Sequence, residues 1–519
     1  MKIFYNATVY TGCGGFARAF AVEDGQFIFV GSDEEALALS GEKTDMKGAF
    51  ICAGFNDSHM HLLNYGQSLS IAPLAAHTDS LDEMLRCLGS APVSRGWIMG
   101  RGWNQDLFQD VSRMPGRTDL DRVSTELPVC AVRACGHALA VNSKALEILG
   151  ITADTPSPEG GSIDFENGRF YDNAMDLVLN NIPAPDEETI REYLRLACRE
   201  LNRRGITSCH SDDYCVFRSV PWQTVNRAYR ELEAEGGLTV RVREQANLTT
   251  VEELEEFIRT DHPTSPLFSM GPLKLLGDGA LGARTAFLSR PYADDPETTG
   301  LSVFTAQQFE DLIDCAHAHG IQTAVHCIGD ACLDLVLDAM EKAQSSHPRS
   351  DSRHGIVHCQ ITRPDQLRRI AKNKLHVYAQ SIFLDYDIHI VRERAGTDLA
   401  ASSYSWKTLK DLGATVSNGS DCPVEAPDVM AGIQCAVTRR DLRGCDAYLP
   451  TEAFTVEEAL DSFTLSGAYA GFEEHSKGLI APGFLADFVV LEEDPFHADP
   501  SRIKDISILE TWLGGERVW

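Results

Sequence analysis

No stretch of this 519-residue chain reaches the ~18 consecutive apolar residues that a membrane-spanning helix needs. It opens without a basic, apolar leader: Met1-Lys-Ile-Phe-Tyr-Asn reads as a strand, so a cytoplasmic location and no membrane partner are expected. The fifteen cysteines are scattered and never fall into CxxC pairs, which argues against a zinc finger and for reduced thiols in a cytosol. Basic residues are scarce, 46 against 76 acidic ones, giving a formal net charge of −30. Phosphate backbones are bound by basic surface, so nucleic acid is excluded as a partner and a small-molecule substrate is expected. There is no internal repeat and no low-complexity tract.

At 519 residues the chain is too long for one small core, and one large barrel with a smaller domain fits best. Short strand patterns separated by Gly and Asp-Gly turns fill residues 1–52, and the same texture returns at 478–519. The two ends are read as one small β-sandwich domain. Between them, over 53–477, apolar strand patterns alternate with helical stretches, which predicts a parallel α/β fold. The predicted strands are Ala49–His61, Gly205–His210, Leu238–Gln245, Gly271–Asp278, Ile321–His326, His354–His358, Leu375–Gln380 and Ala414–Asp421. Eight is the number that closes a (β/α)8 TIM-type barrel, whose active sites lie where the strands end. The gap after the first strand is too long for one βα unit. Residues from about 65 to 195 are therefore read as a cap-like insertion, of the kind that covers or lines a site.

Metal-ligating residue types recur at those strand ends. Gly54-Phe-Asn-Asp-Ser-His59-Met-His61 places two imidazoles on one side of a strand, because side chains alternate with period 2. His326, His358 and Asp421 end later strands, and Lys274 lies on the fourth. A protonated amine repels a cation, so Lys274 fits a ligand role only as a carbamate formed with CO2, which can bridge two ions. A plain lysine, or Asp278 as the oxygen donor in its place, stays open. The expected centre holds two divalent ions. One sits on His59, His61, Asp421 and the Lys274 carbamate, the other on His326, His358 and the same carbamate. Nitrogen and oxygen donors suit zinc, with iron, manganese or cobalt compatible. A bridging water would then ionise near neutral pH, and Asp421 would act as base and acid toward a leaving nitrogen.

With these residues in view, the chain resembles the amidohydrolase superfamily, and within it the amidohydrolase family 3 branch of N-substituted formamide deformylase-like enzymes. The resemblance runs almost end to end. It rests on Ala53-Gly-Phe-Asn-Asp-Ser-His-Met-His-Leu, Gly102-Trp-Asn-Gln, Gly136-His-Ala-Leu-Ala-Val-Asn-Ser-Lys-Ala-Leu and Gly205-Ile-Thr-Ser. Further on it rests on Lys274-Leu-Leu-Gly-Asp-Gly-Ala-Leu-Gly-Ala-Arg, Val325-His-Cys-Ile-Gly-Asp, Val357-His-Cys-Gln, Gly419-Ser-Asp-Cys-Pro-Val and Pro482-Gly-Phe-Leu-Ala-Asp. It implies the barrel, the sandwich and the same six ligand positions, but no particular substrate. Hydrolysis of a C–N bond in an amide, N-formyl, N-acyl or cyclic amide compound is the expected chemistry.

Trp103, His137 and Arg284 are the expected substrate contacts, with Arg133 and Gln380 as further pocket candidates. Asp57 is expected to support the His-x-His strand as a hydrogen-bond acceptor. His210, His317, His319 and His354 are read as structural or surface residues. A mononuclear deaminase-like hydrolase of the same fold is the alternative, although His326-Cys-Ile-Gly-Asp330 lacks the glutamate such enzymes place there. A scaffold that has lost catalysis would be expected to have lost ligands, and this chain keeps all of them. A homodimer or larger symmetric assembly is the expected state.

Overall fold

The computed structural model describes residues 1–134, 137–158, 160–217, 219–260, 262 and 264–519. Gly136, one of the motif residues, lies outside the described residues. The chain divides into two compact units. One comprises Met1–Leu62, Cys198–Cys215 and Leu232–Trp519, the other Leu63–Ala197 and Val216–Glu231.

The larger unit is built around eight parallel strands. These are β1 (Phe55–Met60), β2 (Ile206–Ser211), β3 (Arg241–Asn247), β4 (Phe268–Leu276), β5 (Thr323–Cys327), β6 (Gly355–His358), β7 (His376–Ala379) and β8 (Thr415–Asn418). They pair in sequence order from β1 to β8. Closure between the last and first strands runs through side chains and the following loop. Ser417 Oγ donates to Ser58 Oγ at 2.7 Å, Asp421 N to His59 O at 2.8 Å and His61 N to Cys422 O at 2.8 Å. Strands covered on both faces must be apolar or internally satisfied throughout, and β1, β2, β6 and β7 are buried at every position. Helices follow the strands as amphipathic pieces. Asp330–Ser346, after β5, buries Leu333, Val336, Leu337 and Met340, which its 3.6-residue period places on one side.

The predicted strand Ala49–His61 is two strands. Phe50–Ala53 pairs with Phe488–Leu491 and with Thr8–Val9, whereas Phe55 onward pairs with β2. The break falls at Gly54, where a Cβ would lie 2.3 Å from Thr207 Oγ1, so only glycine lets the backbone pass. The terminal strands form two sheets. A four-stranded sheet contains Lys2–Tyr5, Ala19–Glu23, Gln26–Gly31 and Glu42–Asp45; a six-stranded sheet includes Thr8–Gly12, Phe50–Ala53, Phe488–Leu491 and Ile508–Leu513. Phe4, Phe20 and Phe27 of the first share one buried cluster with Ile51, Phe488 and Val490 of the second. Phe4 stacks on Phe20 with ring centroids 4.9 Å apart.

The smaller unit carries a seven-stranded sheet whose central members are Trp97–Trp103, Val129–Arg133 and Ala138–Val141. Its core is packed by Leu74, Leu88, Trp103, Leu120 and Val129. Among the described residues, no helix is long and apolar enough to cross a membrane.

Candidate metal centre

The residues singled out at the strand ends converge at one end of the eight strands. His59, near the end of β1, is buried and His61 half-buried, their rings 5.3 Å apart. Asp421, just past β8, puts Oδ1 3.2 Å from His59 Nε2 and 3.1 Å from His61 Nε2. His358 ends β6; its ring lies 5.5 Å from that of His59 and 4.5 Å from that of His326, at β5. One potential ligand atom each from His59, His358 and Asp421 fall within 4.8 Å of one another. Lys274 on β4 is fully buried, with Nζ 3.3 Å from His59 Nε2 and 3.4 Å from Asp212 Oδ2.

Each imidazole is held by its other nitrogen. His61 Nδ1 donates to the Asp212 carbonyl at 3.1 Å and His326 Nδ1 to Asp278 Oδ1 at 3.0 Å. His59 Nδ1 faces Gln245 Oε1 at 3.0 Å and His358 Nδ1 faces Gln380 Oε1 at 2.7 Å. Acceptors at all four Nδ1 atoms orient the rings so that Nε2 points away from them, toward the cluster, the pattern of histidine metal sites. The backbone is also constrained. His358 and Asp421 have left-handed φ values of 70° and 58°. Such strain persists only where neighbours over-determine it. Here Trp406 Nε1 donates to His358 O at 3.0 Å, and Asp57 accepts from Ser420 N at 3.0 Å and Ser420 Oγ at 2.5 Å.

Charge follows from burial and neighbours. Burial, helped by the Lys274 cation, lowers His59 to about 4, so the ring is neutral at pH 7. Burial and the adjacent His326 also push His358 well below its usual range. Burial opposes charge on His61 too, but the Asp421 carboxylate outweighs it and raises the ring to about 9. Burial works against the Asp421 carboxylate, yet hydrogen bonds from His59 and His61 hold it well below the ordinary carboxylate range. The result is a buried anion beside a protonated His61 and the neutral rings of His59 and His358; a divalent cation bound there would take the place of the His61 proton.

Several residues have roles that sequence reasoning did not assign. Asp278 does not face the cluster as a free oxygen donor. Its carboxylate accepts from His326 Nδ1, Ile328 N, Gly329 N and Phe287 N and so orients His326. Gln380 orients His358, and Gln245 and Asp212 join the site unforeseen. Asp212 directly follows β2, and its place at a strand end is the one signal that could have pointed to it. Arg284 forms an ion pair with Asp294 at 2.6 Å. In the smaller unit, Trp103 is fully buried and donates Nε1 to Ala131 O at 3.0 Å. His137 is exposed, with Nδ1 3.0 Å from Asp172, and Arg133 pairs with Asp106 at 3.1 Å.

Comparison with known proteins accords with this geometry. A model described as an amidohydrolase family matches residues 42–519. The chain is 33% identical to YtcJ of Bacillus subtilis (strain 168), which carries the name of an amidohydrolase, across 100% of this chain and 99% of that protein. It is 25% identical to N-substituted formamide deformylase of Arthrobacter pascens, across 96% and 94% of the two chains. Among solved structures, an uncharacterized metal-dependent hydrolase from Pyrococcus furiosus superposes with a TM-score of 0.81 at 29% identity, covering 95% of this chain and 99% of that one.

Proposed function

Because the chain belongs to the amidohydrolase family, we propose that this metal-dependent hydrolase cleaves a C–N bond in a small amide, N-formyl, N-acyl or cyclic amide substrate, with Asp421 moving the proton. The observation that carries the reading is the Asp421 carboxylate set within 3.2 Å of two imidazole nitrogens. The donor set is nitrogen and oxygen, and all four imidazoles present Nε2, so the residues fit divalent ions. His59, His61, Asp421 and Lys274 would hold one, and His326, His358 and Lys274 a second, with Lys274 carboxylated and zinc the expected metal. The ions supply, when bound, a Lewis acid and a water acidified toward neutrality. Asp421 takes the proton of the attacking water and returns it to the leaving nitrogen, since its low proton affinity keeps it ionised at pH 7. Gln245, Gln380, Asp278 and the Asp212 carbonyl keep the imidazoles aligned throughout. Arg284 remains a proposed substrate contact, whereas Trp103 packs the core of the smaller unit.

Replacing His59 and His61 by alanine should abolish metal content and hydrolysis of a panel of N-formyl and N-acyl compounds together. Full activity without bound metal would overturn the reading. A second reading rests on Asp212, whose carboxylate 3.4 Å from Lys274 Nζ suits an unmodified ammonium. It gives a mononuclear, deaminase-like centre, and one ion per chain with a bare Lys274 by mass spectrometry would favour it. The terminal sheets are proposed as one composite domain of residues 1–52 and 478–519. A cytoplasmic location is proposed from the scattered cysteine spacing.

A further inference from the structure

A second group of metal-type side chains lies on different loops from the centre above. His389 is in the segment after β7, between the short helices Leu384–Asp387 and Val391–Ala400, and Asp441 and Cys445 follow the helix Val429–Thr438 after β8. One potential ligand atom from each falls within 4.8 Å of the other two. Asp441 Oδ2 lies 3.0 Å from His389 Nε2. The other oxygen, Oδ1, accepts from Arg443 N at 3.1 Å and Cys445 N at 2.9 Å, which fixes the carboxylate with Oδ2 turned to the histidine. Cys445 Sγ accepts from Asp441 N at 3.4 Å. The thiol donates to Asp446 O at 3.3 Å, and burial with the Asp441 charge raises it above its ordinary value despite that amide, so the sulfur rests as a thiol until an ion displaces its proton.

The frame around these groups is fixed. Arg439 O accepts from Tyr448 N at 2.8 Å and Arg439 Nε donates to Tyr448 O at 3.1 Å, so the two ends of the loop are tied. Leu442 N donates to Asp385 Oδ1 at 2.6 Å, which fastens it to the segment after β7. Asp385 brings a carboxylate to this loop, and burial with the charges of Asp385, Asp387 and Asp421 raises the Glu425 carboxyl. The Asp441 carboxylate is buried while half of the His389 side chain is open to solvent. An ion there could be reached from solvent and keep a water.

We propose that His389, Asp441 and Cys445 form a separate binding site for one zinc-class divalent cation, held by nitrogen, oxygen and sulfur. Binding forms a metal–sulfur bond, and the Cys445 thiol proton leaves to solvent. The imidazole gives up its hydrogen bond to Asp441, its Nε2 proton passes through solvent to Nδ1, and the freed Nε2 lone pair binds the ion.

Cobalt(II) titration of the chelator-treated full chain tests this apart from the reading of the main centre, whose proposed ligands include no sulfur. The wild type should show a sulfur-to-cobalt charge-transfer band in the near ultraviolet, lost in Cys445→Ser with one cobalt fewer per chain. His389→Ala removes a half-exposed side chain and should weaken the band at equal cobalt. Absence of the band in the wild type overturns the proposal. So does a band that survives Cys445→Ser and disappears in Cys215→Ser, the thiol 3.6 Å from Asp212 Oδ1.

Discussion

Each imidazole of the main centre has one nitrogen engaged by a fixed acceptor, so its reach is decided before any ion arrives. Gln245→Leu and Gln380→Leu each remove one such acceptor without replacing a proposed ligand. Metal affinity should fall by about 10–100-fold in either variant, read by competition with a chromophoric chelator. Unchanged affinity in both would mean that packing alone orients the rings. Asp421→Asn keeps the shape but lowers basicity; kcat should drop by about 10²–10⁴-fold. The convergence of the six proposed ligands was legible because all but Lys274 are rare polar residues at or just past the end of an apolar strand. Asp278, Gln245 and Gln380 were harder, because amides and carboxylates look alike in sequence whether they bind an ion or hold a ligand. Only the direction of the side chain separates the two, and that direction is set by packing against neighbours far along the chain.

At the scale of elements, the closure between β8 and β1 leaves no room. A Cβ at Gly419 would stand 2.6 Å from His59 N and 2.7 Å from Asp57 Oδ1. Gly419→Ala should therefore push β1 away from the loop that carries Asp421 and lower metal content, although no polar group is lost; a fully loaded, active variant would refute this. The buried pair Arg241–Asp487 joins β3 to the strand Phe488–Leu491, with Arg241 Nε 2.7 Å from Oδ2 and Nη2 2.9 Å from Oδ1. Its Asp487 belongs to the Pro482-Gly-Phe-Leu-Ala-Asp segment, one of those that carry the family resemblance. Asp487→Ala leaves a buried guanidinium without its partner and should cost about 3–5 kcal/mol in urea unfolding. The eight strands of the barrel were legible from apolar runs, and apart from the start of the first their ends moved by at most three residues. The split at Gly54 was not, since period-2 alternation continues through it and only the change of partner reveals two sheets.

For the molecule as a whole, acid should be the weak side of its stability range. Thr323 N donates to His354 Nδ1 at 3.0 Å, His354 Nε2 meets His317 Nδ1 at 2.7 Å, and His317 Nε2 donates to His347 O at 2.6 Å. That chain requires a neutral His354, and burial with the nearby His317 lowers it to about 3. An unfolded histidine titrates near ~6.5, so below that pH the unfolded state binds the extra proton. The stabilisation is therefore complete above pH 6.5 and is lost as pH falls toward 3. The loss is about 1.4 kcal/mol per pH unit for this residue. Urea midpoints at pH 7 and pH 5 should differ more in the wild type than in His354→Asn; equal differences would remove His354 from the account. The strand Phe50–Ala53 has a further consequence, in time instead of space. It is made early, directly ahead of β1, but one of its two neighbours is Phe488–Leu491. On the ribosome it must wait, unpaired along that edge, for nearly the whole chain to emerge. The polypeptide that carries His59 and His61 is thus completed last at its root, and synthesis itself sets the order in which the centre can become rigid.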